Sequence, residues 1–320
     1  MGRDGKDVKR TLSRADVHVH TKYSGIGEYG VLRFPESISN PEDVVKIARQ
    51  GGIDVVCITD HNSIQGALRA SKFARRYDDV HVVIGEEIST LQGEVIGLFL
   101  NEEIPLGLTA EETVDRIKAQ DGLVIAPHPF SYHVPAIGRM IDELCVDGIE
   151  VINGGHIDGP SNVRAMERSK CGKWAKVAGS DAHSLQQIGC AYTLFEGEGP
   201  EDFRKSIIAK RTEVRGQPFP LRLGVSWSIG IVLASDKLML ESLFGVLSGS
   251  EDDPIASKVN KMTVDEKVVA LFGSLIFFTP PVPFLAAVAS KAVMRKKEER
   301  KHKLEKMQQR RIKGKTGPHP

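Results

Sequence analysis

The sequence predicts an α/β protein whose strands close into a barrel, followed by an apolar C-terminal extension and a basic tail. Up to about residue 215, apolar β-branched runs alternate with amphipathic segments, a rhythm typical of parallel strands joined by right-handed crossovers. Roughly seven such units are present, more than an open nucleotide-binding sheet usually has. Five polar clusters follow the apolar runs, and a barrel collects catalytic groups at the carboxyl ends of its strands.

The order of the elements follows from local patterns. Asn40 as N-cap and Pro41 at the first helical position predict a helix that Gly51-Gly52 ends. Thr109 and Glu112 form a capping box for another helix. Residues 24–30 are a glycine-rich loop. The predicted strands are 15–20, 53–59, 80–84, 94–100, 123–126, 148–152 and 175–178. The predicted helices are 41–50, 63–77, 109–120, 161–169 and 200–211.

The opening strand carries polar side chains where a half-buried strand normally carries Leu or Ile. Successive side chains alternate between faces, so Asp16, His18 and His20 share one face and Val17 and Val19 the other. The two imidazoles are then about 7 Å apart, close enough to bind one ion. This pattern indicates a metal site.

Four further clusters supply ligands for the same site. They are Thr59-Asp60-His61, Gly85-Glu86-Glu87, Ala126-Pro127-His128 and Gly179-Ser180-Asp181-Ala182-His183. We predict that one ion binds His18, His20, Glu87 and Asp181, and that a second binds His61, His128 and His183. A mixed imidazole and carboxylate shell suits Zn, Mn or Fe.

This donor set predicts hydrolytic chemistry. Glu87 could bridge two ions roughly 3.5–4 Å apart, which activates a water and stabilises the oxygens of a displacement at phosphorus. We therefore predict a metal-dependent phosphoesterase with a mono- or dinuclear centre, in which Asp60, Glu87 and His183 take part in catalysis. Asp60 either binds metal or orients an imidazole from behind.

Other polar residues are candidates for substrate binding. The guanidinium group of an arginine such as Arg139 matches the geometry of phosphate. His156 follows a strand at the same end of the predicted barrel as the metal ligands. Arg164 and His133 are similar cases. For each, the alternative is a surface residue without a role at the site.

Taken together, the motifs resemble the PHP (polymerase and histidinol phosphatase) domain family over roughly residues 13–215. The resemblance implies a distorted (β/α)7 barrel with a multinuclear metal centre and phosphoesterase activity. It also favours Glu87 over Glu86 as the ligand. Two family ligands are absent: Ile26 stands at one position, and the strand Glu94–Gly97 has no histidine. Two ions are therefore expected.

Beyond residue 217 the alternation of strands and helices ends. We predict three parts: the barrel at 1–217, an apolar helical extension at 218–294 and a basic tail at 295–320. Residues 268–290 carry no charge, but Pro280, Pro281 and Pro283 interrupt any helix. Two short helices are expected, either in a membrane hairpin or docked on the barrel, with the apolar run 223–234 packed against them.

The composition of the tail also indicates which partners the protein binds. Residues 291–320 contain 12 Lys or Arg and 3 Asp or Glu, which suits an anionic membrane surface. Nucleic acid is a less favoured partner because the tail lacks interleaved aromatic residues. Neither a dinucleotide-binding nor a P-loop motif follows the first strand.

Location and alternative functions also follow from the sequence. Four scattered cysteines and a polar N-terminus predict a cytoplasmic protein, with attachment to the inner face of the membrane as an option. Besides a small-molecule phosphoesterase, the sequence permits a nuclease or a non-catalytic metal-bearing module that is tethered to membrane or nucleic acid.

Overall fold

The structure is a computed structural model that describes residues 12–29, 32–156, 159–247 and 253–279, with isolated positions between 282 and 300. The strands are β1 (Leu12–Val19), β2 (Ile26–Tyr29), β3 (Leu32–Pro35), β4 (Val55–Ile58), β5 (His81–Thr90), β6 (Gly93–Leu98), β7 (Leu123–Ala126), β8 (Gly148–Asn153), β9 (Ala175–Gly179), β10 (Ala191–Glu196) and β11 (Glu213–Gly216). The helices are α1 (Pro41–Gln50), α2 (Gln65–Ala74), α3 (Ala110–Ala119), α4 (Pro160–Ser169), α5 (Gly199–Ile208), α6 (Leu221–Leu243), α7 (Pro254–Lys261) and α8 (Val264–Phe277).

Nine strands form one curved sheet in the order β11-β10-β1-β4-β5-β6-β7-β8-β9. The sheet nearly closes on itself, because the chain after β9 pairs with the end of β1. Asp181 N donates to His18 O at 2.8 Å, and His20 N donates to Ala182 O at 2.9 Å. With helices around this sheet, the predicted distorted TIM-like barrel is confirmed.

The barrel departs from the predicted parallel alternation at several strands. Strand β6 pairs antiparallel with β5 through a hairpin and with β7 on its other side, and β10 pairs antiparallel with both β1 and β11. The predicted glycine-rich loop at 24–30 instead contributes β2, which pairs with β3. Strand β6 is buried along its whole length, so its sequence lacks the period-two alternation of an antiparallel strand with one solvated face, and its pairing was not predicted.

Helix ends follow the local chemistry in part. The capping box of Thr109 and Glu112 forms as predicted, with Thr109 Oγ1 accepting from Glu112 N at 3.2 Å. Pro41 does open α1, but the Asn40 side chain makes no capping hydrogen bond. The pairing of helices with strands buries Val17, Val55 and Phe203 among the residues of the core.

The C-terminal extension is a set of helices packed on the barrel. As predicted, α6 packs against α8, and Ser274 donates to Asp236 at 2.7 Å between them. Helix α8 ends at Phe277, shortly before the predicted proline break. Among the described residues, α6 is the one helix that is long and apolar enough to cross a membrane. An 18-residue window of this helix has a mean hydropathy of 1.4. The predicted tail at 295–320 lies almost wholly outside the described residues.

Candidate metal centre

The carboxyl ends of five strands deliver the seven predicted ligands to one place. His18 and His20 come from β1 and the residue after it, Glu87 from β5, and the others follow β4, β7 and β9, namely His61, His128, Asp181 and His183. Ring centroids of His20 lie 4.6 Å from His61 and 4.2 Å from His183. The predicted convergence of imidazoles from residue 18 to residue 183 is present in the structure.

Glu87 lies at the middle of the cluster. Its Oε2 is 3.1 Å from His18 Nε2 and 3.3 Å from His20 Nε2. The same oxygen is 3.3 Å from His61 Nδ1, while Oε1 is 3.0 Å from His128 Nε2. One carboxylate therefore faces four imidazoles, which is the position a bridging ligand takes.

Three overlapping groups of side chains could each hold an ion, with ligand atoms within 4.8 Å of one another. They are His20, His61 and His183; His18, Glu87 and His128; and His18, His20 and Asp181. His20 Nε2 is buried and faces Asp181 Oδ1 at 3.2 Å and Glu87 Oε2 at 3.3 Å, without hydrogen-bond geometry to either oxygen. Leaving a buried ring nitrogen unpaired costs free energy, and a divalent cation would satisfy it. The residues present fit a metal centre.

Asp60 lies behind the cluster and holds one of its ligands through hydrogen bonds. Its carboxylate accepts hydrogen bonds from Thr21 N at 2.6 Å and from Ser24 Oγ at 2.7 Å. Ser24 Oγ in turn lies 3.0 Å from His20 Nδ1. Because Ser24 donates its hydrogen to Asp60, His20 Nδ1 is the donor to Ser24, which leaves His20 Nε2 free to bind an ion. This arrangement matches the predicted orienting role of Asp60.

Glu150 on β8 orients the ring of His18 in a similar way, and this role was not predicted. Its Oε1 is 3.2 Å from His18 Nδ1, and its Oε2 accepts from the backbone N of His128 at 2.8 Å. One buried carboxylate therefore orients two ligands. The available indication was a glutamate inside the apolar run Gly148–Ile152, where an acid is costly to bury unless it is paired.

The strand that lacks the family histidine nevertheless brings a carboxylate to the edge of the cluster. The Glu94 carboxylate is buried and points into the cluster, 3.7 Å from His128 Nε2 and 3.9 Å from His61 Nδ1. The strand therefore places an oxygen near the ligands, although Glu94 belongs to none of the three groups described above. Glu94 is not part of a histidine motif in the sequence, so its nearness to the cluster is seen only from its position on β6.

Backbone geometry at the site is also unusual. His128 and Asp181 have φ values of 26° and 51°, in the left-handed region that residues with a side chain seldom adopt. Such conformations are held by surrounding contacts and occur often at functional sites. Both residues are predicted ligands.

The predicted substrate-binding residues lie in different places. His156 lines the cavity above the cluster, but Ser131 Oγ is 2.8 Å from its Nε2 and Asn153 Oδ1 is 3.0 Å from its Nδ1. Arg139 is exposed in the 3-10 turn Gly138–Asp142, and it is not among the described residues that line the cavity. Its position does not support the predicted phosphate contact.

The alternative candidates also separate. Arg164 stacks on Tyr132, with its guanidinium carbon 4.2 Å from the ring centroid, and donates to Phe130 O. It is therefore bound to neighbouring loop residues. His133 does line the cavity, beside His156.

Charges within the cluster divide the histidines into two groups. Burial lowers the pKa of His20 and of His128, but the carboxylates, Glu87 above all for His128, outweigh burial and raise both values to about 9. Burial and the neighbouring His20 lower the pKa of His61 to about 4 and that of His183 to about 3. Burial and the Glu87 charge raise the pKa of Glu94 to about 8. Without metal at neutral pH, His20 and His128 are therefore charged beside the ionised Glu87, whereas His61, His183 and Glu94 are neutral.

These shifts predict how the metal-free protein responds to pH. A histidine whose pKa is raised on folding stabilises the fold below its ordinary value near 6.5 and loses this contribution as pH rises through the folded value. For His20 and His128 this window runs from about pH 6.5 to 9. We expect unfolding of the chelated protein by urea to become easier across this range. Metal-loaded protein should show a smaller change, because bound cations have displaced the protons. A flat profile for the chelated protein would contradict this.

Gly179 leaves room for the first ligand. A Cβ at this position would lie 2.5 Å from His18 Cβ and 2.8 Å from His18 N. We expect Gly179→Ala to lower the free energy of unfolding by about 2–3 kcal/mol and to reduce metal content, because β9 must move away from β1. Urea titration and elemental analysis measure both effects. Gly230→Ala in α6 is the control, since nothing lies within 4 Å of its added Cβ. Equal stability of the two variants would contradict the packing argument.

Sequence profiles of known protein families match two ranges of this chain. The profile of the PHP domain matches residues 16–117, and that of the PHP-associated region matches residues 159–212. The chain belongs to the PHP domain family. The PHP domain match contains His18, His20, His61 and Glu87.

Two relatives of this PHP protein come from Methanocaldococcus jannaschii. The uncharacterised protein MJ1587 is 51% identical over 155 residues, which are 48% of this chain and 90% of that protein. The uncharacterised protein MJ0417 is 31% identical over 201 residues, covering 59% of this chain and 74% of that protein. Among solved structures, PsfC from Pseudomonas syringae is similar with a TM-score of 0.48 and 18% identity, covering 64% of this chain and 92% of that one.

Proposed function

We propose that this PHP protein is a metal-dependent phosphoesterase that hydrolyses a small phosphomonoester or a nucleotide. The observation that supports this most is the convergence of four imidazoles on Glu87, at the floor of a cavity of about 1280 Å³. Zn, Mn or Fe ions suit these donors, and we propose that the overlapping ligand groups bind two. Such ions would lower the pKa of water and stabilise charge on phosphoryl oxygens.

The chain's own residues prepare the site for this reaction. In hydrolysis, the oxygen of water bonds to phosphorus and the bond between phosphorus and the ester oxygen breaks. The ester oxygen takes up a proton, and the organic part leaves as an alcohol. Glu87 and His183 serve as ligands, and Asp60 holds His20 in the binding tautomer through Ser24. Because these ligands are buried and held from behind, little reorganisation is needed when substrate binds.

The cavity favours a small substrate over a nucleic acid strand. Among the described residues that line it, Lys258 is the one lysine and arginine is absent, whereas a nucleic acid strand is usually bound by several cations along its backbone. A nuclease is the second candidate, supported by the basic composition of residues 291–320. It would require cleavage of oligonucleotides that falls steeply with salt and depends on that tail.

Phosphate release by the purified chain tests the proposal. The protein is loaded in turn with Mn²⁺, Zn²⁺ and Fe²⁺, and its metal content is measured by elemental analysis. We expect at least one loaded form to release phosphate from phosphomonoesters or nucleotides at a rate that chelation abolishes. Stoichiometric metal with no phosphate release from any monoester or nucleotide, and no cleavage of an oligonucleotide, would instead favour a non-catalytic metal-bearing module.

We further propose that the C-terminal helices rest on an anionic membrane surface on the cytoplasmic side. Helix α8 exposes an apolar stripe that includes Val264, Val268, Phe272 and Leu275, the last with 71% of its surface accessible. Basic residues are concentrated in 291–320, and each adds about 1 kcal/mol near such a surface. Flotation with phosphatidylserine vesicles but not with phosphatidylcholine vesicles is the expected result, and absence of flotation with both would refute attachment.

A further inference from the structure

The C-terminal helices form one wall of the cavity above the metal centre. Residues from the segment before α6 and from three helices line this wall, namely Phe219, Leu221, Gly224, Trp227, Ser228, Pro254, Lys258 and Phe277. All of them lie outside the two ranges that match the family profiles. This wall is therefore a part of the cavity that the family resemblance does not account for.

Helix α7 is attached directly to the loop that follows the first ligands. Asp253 caps α7 by accepting from Ile255 N at 3.0 Å and from Ala256 N at 3.1 Å. The same carboxylate pairs with Lys22 Nζ at 2.7 Å, two residues after His20. The extension is thus docked at the site through a specific contact and not by apolar packing alone.

Lys258 on α7 places its ammonium group over this loop. Its Nζ lies 2.5 Å from the point that a Cβ on Gly25 would occupy, next to Ser24. Within the described ranges Lys258 has no ion-pair partner, although the cavity lining also contains four carboxylates, those of Glu36, Glu87, Glu94 and Asp181. Lys258 is therefore available to bind an anion that reaches the site.

Trp227 on α6 supplies an aromatic surface beside the cluster. Its ring centroid is 5.6 Å from that of His183, at an interplanar angle of 63°. The indole N–H is buried and has no hydrogen-bond partner among the residues that the structure describes. Phe219, Leu221 and Phe277 continue the apolar wall. A planar ring would find contact here, and an acceptor atom on it could satisfy the N–H.

We infer that the C-terminal helices are a substrate-binding cap, and that the substrate is a phosphate ester whose organic part carries an aromatic ring. Lys258 binds an anionic oxygen of the phosphate group, and Trp227 contacts the ring. The inference rests on the proposed phosphoesterase function. It assigns binding roles to two residues in the extension, and it narrows the substrate from any phosphate ester to those with a ring near phosphorus.

Binding of non-hydrolysable phosphonates tests the cap separately from turnover. Titration calorimetry on the metal-loaded full chain compares phenylphosphonate with methylphosphonate, which share the anionic group and differ in the ring. We expect phenylphosphonate to bind about tenfold more tightly. Trp227→Ala should remove this preference, and Trp227→Phe should restore most of it. Lys258→Gln should weaken both ligands about tenfold, because both carry the anion.

The control is Lys261→Gln, an exposed lysine of the same helix that does not line the cavity. Metal content of every variant is measured, so that loss of a ligand's position is not mistaken for loss of binding. Equal affinity of the two phosphonates, failure of both to bind, or a Lys258→Gln variant that matches Lys261→Gln would overturn the cap. Ring-dependent binding without hydrolysis of phenyl phosphate would support the cap and count against the phosphoesterase.

Discussion

Replacing Glu87 with Gln is expected to abolish activity, with a loss of about 10³-fold or more. The substitution keeps the size of the side chain but removes the charge that faces His18, His20, His61 and His128. Metal content should fall at the same time, since the three ligand groups either include Glu87 or adjoin it. Phosphate release and elemental analysis measure the two effects.

The same variant should also destabilise the metal-free protein. Burial alone raises the pKa of Glu87, but the charges of His18 and His61 outweigh it and hold the value well below the usual range. Taking one charge from a buried group of this kind costs about 3–5 kcal/mol, because its partners remain buried without compensation. Urea titration of the chelated variant checks this.

Glu86→Gln is the matched control. Glu86 is the neighbouring residue on β5, equally buried, but its carboxylate accepts from Ile104 N at 3.0 Å and belongs to none of the three ligand groups. We expect this variant to retain its metal and most of its activity. If Glu86→Gln lost as much activity as Glu87→Gln, the assignment of Glu87 as the shared ligand would be wrong.

Removing the metal from the wild-type protein is expected to eliminate activity and to lower the melting temperature. A ligand that binds only the folded state stabilises it by about 4 kcal/mol at a concentration 1,000 times its dissociation constant. Here the cations would also coordinate the buried Nε2 of His20, which lacks hydrogen-bond geometry to the carboxylates it faces. Chelation followed by calorimetry, and then addition of Mn²⁺ or Zn²⁺, measures both the loss and the recovery.

The result is informative because of its dependence on Glu87. Added metal should raise the melting temperature of wild type and of Glu86→Gln, but much less that of Glu87→Gln. A rise of the same size in all three proteins would show that the stabilising ions bind somewhere else, for example at exposed carboxylates.

Much of the site could be predicted because its ligands follow strands. Side chains at the carboxyl ends of neighbouring strands meet at one rim, so His18, His61 and Glu87 converge wherever the strands assemble into a barrel. Capping chemistry is equally local, and the box of Thr109 and Glu112 formed as its spacing predicts. In contrast, the antiparallel pairing of β5 with β6 depends on the partner strand, which a single stretch of sequence does not specify.

The sequence by itself determined the kind of protein this is: a barrel whose motif residues carry a metal centre, because periodicity and ligand spacing act over a few residues. Only the tertiary structure decided what surrounds that centre. Glu94 and Glu150 carry no motif, yet β6 and β8 bring their carboxylates to His128 and His18. Lys258 is more than 200 residues from His18 along the chain, and it reaches the cavity because α7 docks through Lys22. Contacts over such separations depend on how the elements pack, which local patterns do not contain.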